Sequence, residues 1–298
     1  MKKHEAIYKK IDNLEIAATL IRSQNTTGPV LILIHGGALI CGNRQWALHM
    51  PQWKLCLDNG FSAVVSVDYR LAPETKLPDI LHDLQDLWQW VHNGADNLLP
   101  KKLNYALMGH SCGGYLSQLL AARLPQKPKA IFSFYGYCNI ADDWLTKPSD
   151  HYCKDPEIPE KEALTYVNKH PAISHSGINN RFKYYVHLRQ KGLWLNAVTG
   201  TNFSETPLTH YDQFCPITLA DKNYPPTFLA HGTNDTDVPY EQSRLMKAKL
   251  DELKIPCILH TVKNAPHMFD GETHWQNSEA SKQMNQKLIT FINKHVTT

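Results

Sequence analysis

The chain has 298 residues, of which 42% are apolar and 20% are charged, and its formal net charge is +3. This is an ordinary globular composition, with room for one large domain or two small ones. Acidic and basic residues are interleaved along the whole length, so the sequence offers no Lys/Arg block suited to nucleic acid or anionic lipid. The basic residues Lys2, Lys3, Lys9 and Lys10 come closest, and we expect them to lie on a solvated amino-terminal segment.

The amino terminus and the cysteines bear on the compartment. The sequence begins MKKHEAIYKKID, which is basic like the start of a signal peptide but is followed by no apolar segment. The longest apolar run, residues 30–34, is far too short to cross a bilayer. Seven cysteines without a CxxC pair are typical of reduced thiols. We therefore expect a cytoplasmic protein with no membrane span.

The predicted elements alternate between strands and helices. The predicted strands are, in chain order, residues 14–21, 30–34, 61–67, 105–108, 130–134, 227–230 and 257–262. One helix begins at Pro78, a second directly follows the strand at 105–108, and two more cover about 241–253 and 278–292. This alternation predicts an α/β fold, with a mostly parallel central sheet covered by helices on both faces.

Residues 137–223 interrupt the alternation, because they contain no buried-strand pattern. The segment is rich in aromatic residues, namely Trp144, Tyr152, Tyr166, Phe182, Tyr184, Tyr185, Trp194, Phe203, Tyr211 and Phe214. A connection of this length inside a compact domain carries helices of its own or a function. We predict a helical lid inserted into a single domain of residues 1–298, with most of these aromatics in its core and the others lining a substrate pocket.

The sharpest motif is Gly109-His110-Ser111-Cys112-Gly113, between a predicted strand and a predicted helix. A serine at that junction lies on a tight turn with its Oγ above the strand ends, and the flanking glycines let backbone pass close to it. The following helix puts unpaired N–H groups near a developing oxyanion. We predict that Ser111 is a nucleophile rather than an idle serine in a Gly-rich turn, and that Cys112 contributes its N–H and not its thiol.

A second motif, His35-Gly36-Gly37-Ala38, directly follows the most apolar predicted strand. Acyl transfer passes through a tetrahedral oxyanion, which needs backbone donors directed at it. The glycine pair frees the N–H groups of Gly37 and Ala38 to join that of Cys112 in an oxyanion hole. A plain turn is the alternative interpretation. We expect His35 itself to be a hydrogen-bonding structural residue and not a base.

The base and its orienting acid are expected later in the chain, each after a strand. Asp235 follows the strand at 227–230 within the run HGTNDTDVP. We predict that its carboxylate holds the tautomer of the catalytic imidazole and stabilises the imidazolium. Asp237 is the rival acid, but we expect it to cap the amino terminus of the next helix.

Position selects His267 as the base from the sixteen histidines of the chain. His260 falls within a predicted strand, His274 lies further along the loop, and His295 is on the terminal helix. His267 is in the turn just past the last strand, from where it can reach Ser111. The sequence has no Walker-type motif, no GxGxxG after its first strand and no HExxH helix, so we expect no cofactor and no metal.

With these residues placed, the chain resembles the α/β-hydrolases, and within them the hormone-sensitive-lipase-like esterases. The matching motifs are HGGA at 35–38, DYRLAPE at 68–74, GHSCG at 109–113, HGTND at 231–235 and the turn at His267. DYRLAPE is the most family-specific of them, and we expect it to support the site structurally rather than to touch substrate. The motifs span nearly the whole chain.

Two departures from that family concern the oxyanion motif and the lid. Position 38 is alanine where the family often has a third glycine, but backbone donation does not need glycine there. Fewer than thirty residues precede the strand before His35, too few for the usual amino-terminal cap, so any lid must come from residues 137–223. Aryl-formamide hydrolases are also similar through HGGA and GHSCG, although their usual tryptophan after that loop is Leu39 here.

We expect hydrolysis of a small, short-acyl carboxylic ester through an acyl-enzyme. An amidase, an aryl-formamidase or a peptidase with the same triad remains an alternative, because the leaving group is recognised by the lid and not by the triad. A non-catalytic binding protein with this fold is a more distant alternative. The sequence leaves a homodimer open.

Overall fold

The computed structural model describes residues 1–167, 178–271 and 273–297. Their strands are β1 (Lys2–Ile11), β2 (Leu14–Arg22), β3 (Val30–Ile34), β4 (Ala63–Val67), β5 (Tyr105–His110), β6 (Ile131–Phe134), β7 (Thr227–Gly232) and β8 (Cys257–Val262). They form one sheet in the order β1-β2-β4-β3-β5-β6-β7-β8. β2 is antiparallel to both β1 and β4, and every other neighbouring pair is parallel.

The helices lie between the strands. The α-helices are α1 (Arg44–Ala47), α2 (Gln52–Asp58), α3 (Leu77–His92), α4 (Cys112–Arg123), α5 (Asp143–Thr146), α6 (Glu160–Ala163), α7 (Ile178–Lys191), α8 (Trp194–Thr199), α9 (Pro216–Leu219), α10 (Glu241–Glu252), α11 (Thr273–Gln276) and α12 (Glu279–His295). Short 3-10 helices occupy Tyr152–Lys154, Leu164–Tyr166, Leu208–Phe214 and Phe269–Gly271. No helix of the described residues is long and apolar enough to cross a membrane.

The sheet is buried on both faces, which explains why β3 and β5 read as continuous apolar runs. Side chains of α3, α4 and α10 pack with one face of the sheet in one apolar cluster. Side chains of α2 and α12 pack with the other face in a second cluster. The predicted fold class, a mostly parallel sheet with helices on both faces, is confirmed, and every predicted strand is present.

The amino-terminal segment differs from the prediction. It is not merely a solvated segment, because residues 2–11 form the edge strand β1, which pairs antiparallel with β2. Most of its side chains are exposed or half-buried, so the apolar alternation that would reveal a strand is missing. The exception is Tyr8, which is buried and donates its hydroxyl hydrogen to the Asp68 carbonyl at 2.7 Å. A lysine-rich edge strand also discourages pairing with another chain.

Residues 137–223 are helical in their described part, with α5 to α9 and no strand. Several of the predicted aromatics form an internal core, and Trp194 and Tyr211 are almost completely buried. Phe182, by contrast, is 40% exposed. The side chain of Tyr166 and residues 168–177 lie outside the described residues.

Candidate active site

The parallel strands β3, β5, β7 and β8 end at the same edge of the sheet, so the segments that follow them meet there. Ser111 is the residue between β5 and α4, and its backbone has φ 54° and ψ −125°. This is a strained conformation for a residue other than glycine. A Cβ on Gly109 would lie 2.1 Å from the Gly113 carbonyl oxygen, and one on Gly113 would lie 2.2 Å from that of Ile34. The GHSCG glycines are therefore required by close backbone contacts around the turn.

The structure brings Ser111, His267 and Asp235 together. The Ser111 hydroxyl lies 3.1 Å from Nε2 of His267, at hydrogen-bond distance. On the other side of the ring, Nδ1 of His267 donates to Oδ2 of Asp235 at 2.7 Å. The nucleophile, base and orienting acid expected from the sequence thus form a continuous hydrogen-bonded chain, which is the arrangement that acyl transfer requires.

The side chain of Asp235 is completely buried and heavily hydrogen-bonded. Its Oδ1 accepts the backbone N–H groups of Asp237 and Val238, each at 2.9 Å, and His231 Nε2 lies 3.1 Å from Oδ2. Burial alone would raise the pKa of Asp235, but the His267 charge and the hydrogen bonds from His231 and His267 hold that pKa well below its usual range. The carboxylate is therefore ionised wherever the protein is folded near neutral pH.

His267 has several anionic neighbours. Burial acts to lower its pKa, but the charge and hydrogen bond of Asp235, together with the charges of Asp237 and Asp270, raise the pKa above 6.5. The Tyr135 ring stands edge-on to the imidazole with centroids 4.8 Å apart, and its hydroxyl donates to Asp270 at 2.6 Å. Nε2 of His110, the residue before Ser111, lies 3.2 Å from the other oxygen of Asp270.

The loop after β3 approaches Ser111 as expected. Gly37 has φ 110°, and a Cβ there would lie 2.1 Å from the Cys41 carbonyl oxygen, so this position needs glycine. A Cβ on Gly36 would meet the Ser111 Cβ at 3.3 Å, which shows how close the two turns are. Gly37, Ala38 and Ser111 line the same cavity. The N–H of Cys112 is the first of α4 and has no acceptor within that helix.

The side chains of His35 and Cys112 are internal. His35 Nδ1 lies 2.7 Å from the Gly36 carbonyl oxygen, and burial lowers the pKa of His35 to about 4. Burial likewise raises the pKa of the Cys112 thiol to about 11, although the Tyr69 hydroxyl and the N–H groups of Leu39 and Ala38 act in the opposite direction. A neutral, buried thiol is a poor nucleophile at neutral pH.

Asp237 does not cap a helix, so that prediction is wrong. α10 begins at Glu241 and has no side-chain cap. Oδ1 of Asp237 instead accepts from the Tyr185 hydroxyl at 2.5 Å and from Arg189 Nη1 at 3.0 Å. Its Oδ2 lies 3.7 Å from Nε2 of His267. Asp237 therefore forms an ion pair with a buried arginine of α7 and does not cap α10.

A cavity of about 530 Å³ opens onto Ser111. Its lining residues are Gly37, Ala38, Cys41, Trp46, Ser111, His151, Tyr152, Phe182, Tyr185, Thr236, Asp237, Pro266, His267 and Met268. Residues 137–223 contribute four of these side chains, including the aromatic rings of Tyr152, Phe182 and Tyr185. The volume and the largely apolar lining suit a small organic ligand.

The DYRLAPE segment connects β4 to α3 and binds several neighbouring loops. The Tyr69 hydroxyl donates to the His35 carbonyl at 3.0 Å, and Arg70 Nε donates to Asp83 at 2.8 Å. Glu74 pairs with Arg181 of α7 at 2.8 Å. These contacts are structural, and none of the three side chains lines the cavity at Ser111.

The histidines that were weighed against His267 as the base lie elsewhere where they are described. His260 lies in β8 with Nε2 3.2 Å from the Ala280 carbonyl oxygen, and His295 ends α12. The side chain of His274 lies outside the described residues. Sequence reasoning missed His231 as a partner of Asp235, although it is the first residue of the HGTND motif. It also missed Arg189, for which the sequence holds no local signal.

Comparisons with known proteins agree with this architecture. The non-reducing polyketide synthase ausA of Penicillium brasilianum is 27% identical over 341 aligned positions, covering 97% of this chain and 14% of the synthase. The chain thus spans only a small part of the curated relatives it matches. An α/β hydrolase superfamily protein from Enterococcus faecalis has a TM-score of 0.76 at 20% identity, with coverage of 98% of this chain and 99% of that chain.

A second solved structure, carboxyl esterase 2 from the mycorrhizal fungus Tuber melanosporum, has a TM-score of 0.69 at 16% identity. The match covers 99% of this chain and 87% of that chain. At these identities the two structures show the fold alone. The family model described as BD-FAE matches residues 18–250. The chain therefore belongs to the BD-FAE family, a hydrolase family of the α/β-hydrolase type.

Proposed function

We propose that the protein is a serine esterase that cleaves short-acyl carboxylic esters of small molecules, with Ser111 as nucleophile, His267 as base and Asp235 as orienting acid. The observation that carries the proposal is the unbroken series of contacts from the Ser111 hydroxyl through His267 to the buried Asp235. The family membership, and the carboxyl esterase among the similar structures, support the same reaction class.

The reaction begins when Nε2 of His267 takes the Ser111 proton as Oγ attacks the ester carbonyl. The N–H groups of Gly37, Ala38 and Cys112 stabilise the resulting oxyanion. His267 returns the proton to the leaving alcohol, and a water molecule activated by the same imidazole then hydrolyses the acyl-enzyme. Asp235 stays ionised throughout and stabilises the imidazolium.

The cavity size favours small substrates. A volume of about 530 Å³ shared by both sides of the scissile bond suits a short acyl group and a small alcohol group. We assign residues 137–223 the role of a lid, because their aromatic rings line the cavity next to the nucleophile. Preference for an ester over an amide or formamide would then depend on this lining.

A fluorophosphonate probe followed by peptide mapping tests the assignment. We expect one adduct on Ser111, and a strongly reduced rate of labelling in the His267→Ala variant. A panel of p-nitrophenyl esters, aryl formamides and anilides then compares the leaving groups. A folded protein that takes up no probe and turns over no ester would contradict the proposal and favour a ligand-binding role.

A further inference from the structure

Four successive carbonyls of the loop after β3, those of residues 37–40, accept hydrogen bonds. Gly37 O accepts the N–H groups of Ile40 and Cys41, both at 2.9 Å, and Leu39 O accepts the N–H of Ala72 at 2.8 Å. These acceptor positions are filled by backbone of the sheet domain. We call residues 36–41 the oxyanion loop.

The carbonyls of Ala38 and Ile40, also in the oxyanion loop, are bound by side chains of the segment 137–223. Trp194, the first residue of α8, donates its indole N–H to the Ala38 oxygen at 3.0 Å. Arg181 of α7 donates Nε to the Ile40 oxygen at 2.6 Å. Both side chains are 1% exposed, so each bond has a buried donor. The segment 137–223 therefore contacts the backbone that is expected to bind the oxyanion, and not only the substrate cavity.

The oxyanion loop needs such anchors because its conformation is unfavourable. Ala38 has φ 57° and Leu39 has φ 65°, so two consecutive residues with a Cβ occupy the left-handed region. Each costs on the order of 1 kcal/mol or more and persists only where surrounding contacts enforce it. The peptide between them is fixed at both ends, by Trp194 at its oxygen and by the Cys112 thiol, which accepts the Leu39 N–H at 3.2 Å.

We infer that Trp194 is a positioning residue for the oxyanion hole, an assignment that rests on the proposed function. Its N–H holds the Ala38–Leu39 peptide in the left-handed conformation, and this fixes the direction of the neighbouring Gly37 and Ala38 N–H groups. Donor direction matters because an oxyanion hole works by being organised before charge develops. Without the anchor, the peptide can rotate and the donors lose their alignment with the transition state.

The test compares Trp194→Phe with Trp53→Phe in the full chain. Trp53 is the matched control, since it is 6% exposed and also donates its indole N–H to a backbone carbonyl at 3.0 Å, that of Leu48 in the turn after α1. With p-nitrophenyl acetate as probe, we expect Trp194→Phe to lower kcat about 10-fold and leave KM within about twofold, a smaller loss than removal of an oxyanion donor itself. Trp53→Phe should keep the wild-type kcat while lowering the melting temperature similarly.

A second variant removes only the N–H. Replacing Trp194 by β-(3-benzothienyl)alanine keeps the ring size and the packing, so it remains informative if Trp194→Phe folds poorly. The same kcat loss in this isostere, with a parallel drop in the rate of fluorophosphonate labelling, would support the positioning role. A wild-type kcat in the isostere would overturn it while leaving the esterase proposal intact. A wild-type chain that neither hydrolyses the ester nor reacts with the probe would overturn the esterase proposal, and the positioning role with it.

Discussion

The sheet and the segment 137–223 are specified by different kinds of interaction. β3 is a run of five apolar residues, all buried, and its position follows from that local pattern. The segment shares an apolar cluster with one face of the sheet, and polar side chains add directional bonds next to the active site. Trp194 binds Ala38 and Arg181 binds Ile40, across 156 and 141 residues of sequence. Apolar burial thus sets the framework, while a few directional buried bonds set how the covering segment meets the active site.

The largest expected effect concerns Asp235, which follows strand β7 of the sheet. Asp235→Asn keeps an acceptor for the two backbone N–H groups but loses the charge that orients His267, so we expect kcat to fall about 10⁴-fold. Ester hydrolysis by the purified variant measures this loss, and circular dichroism checks the fold. Asp251→Asn, on the exposed face of α10, is the control and should be indistinguishable from wild type. A variant retaining a tenth of the activity would exclude Asp235 as the orienting acid.

The second prediction concerns the junction between the two regions. Arg181→Met removes the side chain that pairs with the buried Glu74 carboxylate and binds the Ile40 carbonyl, so we expect a loss of about 3–5 kcal/mol in the free energy of unfolding. The exposed pair Arg244–Glu241 is the matched control, and Arg244→Met should cost about 0–1 kcal/mol. Thermal and urea denaturation give both values. Equal costs for the two variants would mean that the buried pair does not secure the segment.

The third prediction uses pH. Because the pKa of His267 is raised above 6.5, kcat/KM should decrease as the pH is lowered, when the base becomes protonated. The acidic limb of the pH profile should therefore lie above pH 6.5. Asp235, Asp237 and Asp270 all raise that pKa. Asp270→Asn should therefore move the limb to lower pH, as measured by kcat/KM profiles.

The raised pKa of His267 also makes the stability of the protein depend on pH. The raised pKa of His267 stabilises the folded state by an amount that is fully present below pH 6.5 and is lost as pH rises through the folded-state pKa.

Asp251→Asn also serves as the control for the acidic limb of the kcat/KM profile, since α10 carries this carboxylate on its exposed face. A limb unchanged in Asp270→Asn would show that the buried carboxylate acts on Tyr135 and His110 alone.

The smallest effect is expected at Cys112. Its thiol is buried, its pKa is raised to about 11, and its sulfur accepts the Leu39 N–H and lies 3.6 Å from the Tyr69 hydroxyl. Cys112→Ser keeps an acceptor there, so kcat should change by no more than about threefold. Steady-state kinetics and the rate of inactivation by iodoacetamide are the measurements. Abolished turnover in this variant would move the nucleophile from Ser111 to the thiol.

The sequence predicted those features that leave a local pattern. The buried parallel strands, the glycines around Ser111 and the polar residues after β7 and β8 all carry such a pattern, and the structure brings the predicted side chains together. β1 was not predicted, because an edge strand with mostly exposed side chains has no apolar alternation. Asp237 was misassigned because its partner, Arg189, is 48 residues away and polar pairing has no periodicity. Trp194 could be predicted as a core residue, but its bond to Ala38 depends on the tertiary fold.

The position of the segment in the topology has a consequence for the exchange of parts between related hydrolases. Neighbouring parallel strands need a crossover of only about a dozen residues, yet β6 and β7 are joined by residues 135–226. The length of this crossover can change without reordering any strand, which makes it a natural unit for transplantation. A graft chosen for cavity shape alone would nevertheless give a folded but slow enzyme, because the recipient's Ala38 carbonyl would have lost its donor. Successful chimeras should be those whose graft brings an indole or an equivalent N–H to that oxygen.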